Sequence, residues 1–359
     1  VGNGNAVSNT TQVTIDRVVP NDFTPTVSAR AANSITISAS TTDNSGQTVT
    51  YMYSSDNGST WKTANPITGL SAGIKYNIKV KAIDKAGNEK VSSTTIQTSV
   101  LATLAAHTSA SYYGDSVNYS ANDITEWKIF YENTSGNIFL IIDGYLPVNK
   151  VPSGVKMVVG EDYHAGWAKG GIPIQEVTNS TEQLFMSNVN IFTQLAWTGS
   201  ITALLNIDNW SEFVNQQFAL SAIGAPTLEM WVASWNQVLE QNLFFGTSNN
   251  LGYTIGVNEN PTSYSVSGLD VPESHTNLKT LYFPNIQTND NVTRYWLASQ
   301  VLRSDSEAPT SGGIGVINLS GEIGWGGGSS TVFHTGLRPV VALDESTKAY
   351  WNGTTWILQ

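Results

Sequence analysis

The chain has 359 residues, only 13% of them charged, and a net charge of −11 with 17 Lys+Arg in all. No basic stripe can be assembled from so few cations, which excludes a nucleic-acid partner and docking on anionic lipid. Cysteine is absent, which excludes disulfides, thiolate metal sites and a cysteine nucleophile.

The hydrophobic share of 40%, with 11 Trp, 14 Tyr and 11 Phe, is enough to build real cores and argues against disorder. At this length two or three domains are expected. Thr, Ser, Asn and Gly take the place of charge, as in β-rich extracellular modules. A secreted eukaryotic chain of this size would usually carry disulfides, so the expected setting is a bacterial surface or a phage virion. No run approaches the ~20 apolar residues of a spanning helix. No signal peptide opens the chain, and Val1-Gly2-Asn3 reads as mid-domain sequence with export signals upstream.

Residues 1–12 are echoed at 86–97. Gly, Asn, Ser, Thr and Gln recur at the same places, each time as a glycine turn before a Ser/Thr-rich strand. The second copy closes a domain, so residues 1–22 are expected to be the end of a preceding, truncated repeat. Residues 23–100 then read as a small β-sandwich. Ser34–Ala39, Thr48–Tyr53 and Tyr76–Ala82 alternate with period two. Asp56-Asn57-Gly58-Ser59 is a tight-turn signal, because Asn-Gly supplies positive φ, and Trp61 after it is expected to cap the core.

The segments Ser55-Asp56-Asn57-Gly58-Ser59-Thr60-Trp61 and Ala82-Ile83-Asp84-Lys85-Ala86-Gly87-Asn88 resemble the repeats of bacterial fibronectin III/Ig-like modules. Such modules serve as stalks and spacers, so the resemblance implies a structural role here.

Residues 101–111 are expected to be a linker, with Leu101 and Leu104 tucked against a neighbour. Residues 112–359 form one unit by length. It opens with strands at Glu126–Tyr131 and Ile138–Ile142. A first helix is expected from an Asp208 N-cap, with Trp210, Phe213, Val214 and Phe218 on one face. A second begins near Pro226, with Leu228, Trp231, Trp235, Val238 and Leu239 at helical spacing. The remaining ~110 residues read as glycine-punctuated strands and loops.

This order resembles the C-type-lectin-like fold as found in Gram-positive surface and prophage proteins. The carriers are Gly114–Tyr119 with Trp127–Phe130, Gly224–Met230, Tyr295–Ser299 and Gly336–Val341. The closing Gly336-Leu337-Arg338-Pro339 is also similar to the ending of the formylglycine-generating-enzyme subfamily and of the variable proteins of diversity-generating retroelements. The departures matter. The enzyme's cysteines are missing, and the sugar-binding tripeptides of calcium-dependent lectins do not occur. The fold class expected is therefore mostly β with a C-terminal α+β domain: an Ig/fibronectin III-like sandwich plus a C-type-lectin-like fold.

The chemical candidates are sparse. His107, His164, His275 and His334 show no metal-ligand spacing, and no cofactor is expected. Glu161-Asp162-Tyr163-His164 offers adjacent acids that a glycosidase could use. Gly324–Gly328 lacks the Lys-Ser/Thr of a phosphate loop. Trp231 and Trp235 are expected in the core, and Arg338 is expected to anchor the last strand through backbone or carboxylate bonds. The segment from Gln300 to Thr335 is where the resemblance implies a ligand face. Its candidates are Arg303, Ser304, Asp305, Glu307, Trp325, Ser329, Ser330, Phe333 and His334. Aromatic, Arg and small polar side chains on rigidly based loops suit recognition.

The functional expectation is an extracellular, non-enzymatic adhesin or receptor-binding protein whose partner is a cell-surface glycan or protein. Further copies of the chain, or upstream Ig-like repeats, are its other expected partners. Two alternatives stay open: a glycan-acting enzyme with an accessory Ig-like module, and a structural subunit of a surface filament or tail fibre.

Overall fold

The computed structural model describes residues 15–107, 110–152, 155, 203–239, 241–248, 252–257, 265–284, 294–302, 312–326 and 335–359. The chain is mostly β, with several sheets. It divides into two compact units, 1–102 with 351–353 and 103–350 with 354–359.

The first unit is built from short strands. They are β1 (Thr26–Ala31), β2 (Ser34–Ser38), β3 (Thr50–Ser54), β4 (Ile67–Thr68), β5 (Tyr76–Ile83), β6 (Glu89–Val91) and β7 (Ile96–Thr98). One sheet runs β1-β2-β4; the other runs β3-β5-β6, with β7 also on β5. Period-two alternation decides which side chains turn inward. Ile35 and Ile37 of β2 and Ile78, Val80 and Ala82 of β5 share one core with Phe23, Tyr53, Ile67 and Leu70. Two sheets therefore close on a common apolar layer. The Asp56–Ser59 turn forms as its residues demand, with Asn57 at φ 59° and Gly58 at φ 93°. Asp56 secures it by accepting from Thr60 N at 2.9 Å and Thr60 Oγ1 at 2.6 Å. Trp61 does not cap this core. It is half-buried with Lys81 Nζ 4.8 Å from its ring centre, so its indole serves as a platform for a cation.

The stretch 101–111 holds regular structure: β8 (Ala102–Thr103), α1 (Leu104–His107) and the start of a 3-10 turn at Ala110–Tyr112. Leu104 and His107 are both buried, and the His107 ring bonds Ala349 O at 3.1 Å.

The second unit continues with β9 (Ser116–Val117), β10 (Trp127–Glu132), β11 (Ile138–Ile142) and β12 (Ala219–Ile223). Then come α2 (Leu228–Val238), β13 (Leu243–Ser248), β14 (Gly252–Val257), β15 (Val266–Ser267) and α3 (Thr276–Tyr282). The chain ends through β16 (Arg294–Leu302), β17 (Gly312–Asn318), β18 (Glu322–Gly326), β19 (Thr335–Gly336), β20 (Val340–Leu343), β21 (Lys348–Trp351) and β22 (Trp356–Leu358). One sheet is ordered β12-β20-β11-β10-β9-β22-β21-β8. The other is β13-β14-β16-β17-β18-β15, with β19 on β16. Every residue of β11 is buried, which explains its unbroken apolar run Ile-Phe-Leu-Ile-Ile. Gly321 makes the β17–β18 turn at φ +85°. A Cβ there would lie 2.0 Å from Leu269 O, so only glycine fits.

Both expected helices are revised in detail. The first is a 3-10 helix, Ile207–Phe213, capped by the Asn206 side chain rather than by Asp208. With three residues per turn, Trp210 and Phe213 eclipse and are both buried. Val214 is already extended, and Phe218 lies outside the helix. The second helix starts at Leu228, with Thr227 as its N-cap accepting from Met230 N. Trp231 and Trp235 are fully buried and stacked, their ring centres 5.1 Å apart. A third helix, α3, stands where only strands and loops were expected. Leu278, Leu281 and Tyr282 form its buried face at the i, i+3, i+4 spacing of a helix. Among the described residues, no helix is long and apolar enough to cross a membrane.

Candidate functional site

The expected ligand segment is bordered by strands of the seven-stranded sheet. β16 pairs antiparallel with β17, Leu302 opposite Gly312 and Val301 opposite Gly313. β17 pairs antiparallel with β18, Ile314 opposite Gly326. β14 lies parallel to β16, Tyr253 opposite Val301, and its hairpin with β13 closes at Ser248 opposite Gly252. Tyr253, Val301 and Gly313 therefore stand in one row across the sheet, with Gly326 next to it. Three stretches of chain leave the sheet at this end: 249–251, 303–311 and 327–334. The last links Gly326 to Thr335, which pairs with Arg294 at the opposite end of β16.

Of the nine candidate residues, Trp325 lies on β18 opposite Gly315. Arg303, Ser304, Asp305, Glu307, Ser329, Ser330, Phe333 and His334 lie outside the described residues, as do Glu161, Asp162 and His164 and the repeat at 1–12.

The base of this sheet end is a buried polar network. Glu229, 3% exposed on the first turn of α2, accepts the Tyr253 hydroxyl at Oε1 and the Ser299 hydroxyl at Oε2, the latter at 3.4 Å. Ser299 Oγ also accepts from Leu228 N at 2.8 Å, and Ala298 N donates to Pro226 O at 2.8 Å. Helix start, β14 and β16 are thereby tied together beside the row where the chain departs. Burial raises the Glu229 carboxyl above the ordinary glutamate range, against the lowering effect of the hydroxyls that donate to it. Sequence reasoning missed this network, because its partners are brought together only by the sheet. The one local signal was an acid in the apolar first turns of the helix, Leu228–Val232.

A second layer fixes the other end of β16. Trp231 Nε1 donates to Tyr295 Oη at 2.6 Å, and Tyr295 Oη donates to Tyr282 O at 3.0 Å. Arg338 is fully buried. Its Nε, Nη1 and Nη2 donate to the carbonyls of Gly144, Leu281 and Ile142 at 3.1, 2.6 and 2.9 Å. The expected anchoring role is thus met by main-chain acceptors.

A cleft of about 520 Å³ opens elsewhere in this unit, among Tyr113, Gln237, Ser274, His275 and Asn277. Tyr113 donates to Gln237 Oε1 and accepts from Glu132 N at 2.7 Å. Ser274 Oγ lies 3.0 Å from His275 Nδ1. These groups are hydroxyl, amide and imidazole; they can hydrogen-bond a polar ligand but do not supply the paired carboxylates of acid/base glycoside chemistry.

Compared with family models, with curated proteins and with solved structures, the chain finds no match.

Proposed function

We propose that the chain is an extracellular binding protein. A fibronectin III/Ig-like sandwich acts as spacer, and a C-type-lectin-like head contacts a cell-surface glycan or protein through residues 300–335. The observation that carries this reading is the common departure point of 303–311 and 327–334 at one end of the seven-stranded sheet. Stretch 303–311 joins β16 to β17 and stretch 327–334 leaves β18, the strand beside β17. Together they carry Arg303, Asp305, Phe333, His334 and five serines, and β16 is secured by the Glu229 network. A recognition surface is commonly carried on a rigid base. The acidic balance and the scarcity of Lys and Arg favour a neutral or polar receptor over nucleic acid.

A glycan array probed with the whole chain, with and without EDTA, is the first test. Selective, EDTA-resistant binding is expected, since the tripeptides of calcium-dependent sugar sites are missing from the sequence. A protein receptor would instead be captured from cell envelopes. Retention of all such binding by residues 15–102 alone would contradict the assignment to the head.

A further inference from the structure

Three carboxylates from separate stretches of chain meet in the first unit. Asp16 precedes β1, Asp43 lies between β2 and β3, and Asp84 follows β5. One oxygen of each lies within 4.8 Å of the other two. Asp43 and Asp84 are 7% and 6% exposed, so two charges are withdrawn from water beside a third. Like charges so placed repel, and burial strengthens the repulsion. Among the described residues, no Lys, Arg or His forms an ion pair with any of the three.

The cluster is held together rather than splayed. Val18 N donates to Asp16 Oδ1 at 3.0 Å, Ser45 N to Asp43 Oδ2 at 2.9 Å and Asn88 N to Asp84 Oδ1 at 2.8 Å. Asn88 Nδ2 reaches Asp84 Oδ2 at 2.7 Å and the main-chain oxygens of Asp16 and Val18 at 3.3 and 3.2 Å. A single amide therefore fastens the Asp16 stretch to the Asp84 turn. The second, independent observation is Asp43 Oδ1, which is buried and accepts no hydrogen bond. A buried carboxylate oxygen without a donor is costly, and a cation is the partner that would satisfy it together with its two neighbours.

We propose that Asp16, Asp43 and Asp84 bind one hard divalent cation of the calcium class. All three donors are oxygens, which selects hard ions over zinc or copper. Two oxygens each about 2.4 Å from a calcium ion can be no more than about 4.8 Å apart, which the cluster satisfies. Water and main-chain carbonyls would complete the shell. Magnesium, with its smaller and stricter octahedron, fits less readily. The bound ion fastens residues 16–18 to the β2–β3 loop and the β5–β6 turn. It stands whether or not residues 300–335 bind a receptor.

The test is calorimetric titration of calcium chloride into the EDTA-stripped, desalted full chain, with melting curves in calcium and in EDTA. The parent is expected to bind calcium and to melt higher in calcium. Asp43→Asn is expected to weaken that binding at least tenfold. In EDTA it should melt at or above the parent, because a repulsive charge has gone. Asp16→Asn, at a half-buried position, gives the same reading if the Asp43 variant fails to fold. Neither heat nor a melting shift at about 10 mM calcium, a level that saturates extracellular modules, would overturn the proposal. So would parental affinity and stoichiometry in both variants.

Discussion

The Arg338 guanidinium lies 5.0 Å over the Tyr295 ring while its three nitrogens donate to the carbonyls of Gly144, Leu281 and Ile142. A fork-shaped cation thus ties the chain before β20 to the end of β11 and to α3, and its charge rests on an aromatic face instead of a carboxylate. A lysine cannot reach three divergent carbonyls. Arg338→Lys should therefore destabilise the second unit by about 3 kcal/mol or more, because buried acceptors are left without donors. Urea unfolding followed by tryptophan fluorescence checks this, with Lys348→Arg as an exposed control.

Glu229 makes the second unit pH-dependent. Its folded pKa is raised by burial above the ordinary 4.5, so its folded state holds the proton more tightly than the unfolded chain. The stability it contributes is fully present below about 4.5 and is lost as pH rises through the raised value. Glu229→Gln keeps an acceptor for Tyr253 and removes that decline. The variant should match or exceed the parent in melting temperature at pH 8 and lose the advantage at pH 4. Parallel melting-versus-pH curves for the two proteins would refute this account of Glu229.

Asp56 acts with the opposite sign in the first unit. The Ser54 hydroxyl and the Thr60 donors hold its carboxyl well below the usual range, so its contribution is present above the unfolded value of about 3.9 and disappears as pH falls. Asp56→Asn should weaken the first unit at neutral pH and weaken it less near pH 2, where part of the carboxylate's contribution is already lost. Thermal scans of the variant and parent at both pH values measure this.

The aromatic packing of the second unit leaves no room for growth or loss. A Cβ on Gly224 would sit 2.0 Å from the Trp210 ring, so Gly224→Ala should cost about 1–3 kcal/mol. Trp235 stacks on Trp231 and meets Tyr282 edge-on at 5.1 Å. Trp235→Ala should cost about 3–5 kcal/mol. Chemical denaturation of each variant gives the values, and near-wild-type stability in either would contradict the packing described.

What was readable from residues alone follows from the range of the signal. β2 and β5 announced themselves because Ile35/Ile37 and Ile78/Val80/Ala82 alternate locally, and Asn57-Gly58 carries its turn in its own backbone. Trp61 was misplaced because a large aromatic side chain does not reveal whether a core or a lysine will cover it. α3 was missed because it is only seven residues long and its His275 N-cap makes no side-chain hydrogen bond. The helix start at Asp208 slipped because Asn206 caps two residues earlier. The border of the candidate ligand segment was visible as signature pieces around Trp296 and Gly336. The network beneath it was not, since Glu229, Tyr253 and Ser299 become neighbours only when β14 and β16 pair. The aspartate cluster was hidden for the same reason: no spacing rule joins Asp16, Asp43 and Asp84.

The most direct test of the central claim replaces residues 303–311 and 327–334 by Gly-Ser linkers of equal length. Binding of parent and variant is then compared on glycan arrays and cell envelopes, with both proteins' melting temperatures measured. The account predicts that the parent binds and that the variant melts like the parent but binds nothing. A folded variant that binds as well as the parent would contradict it.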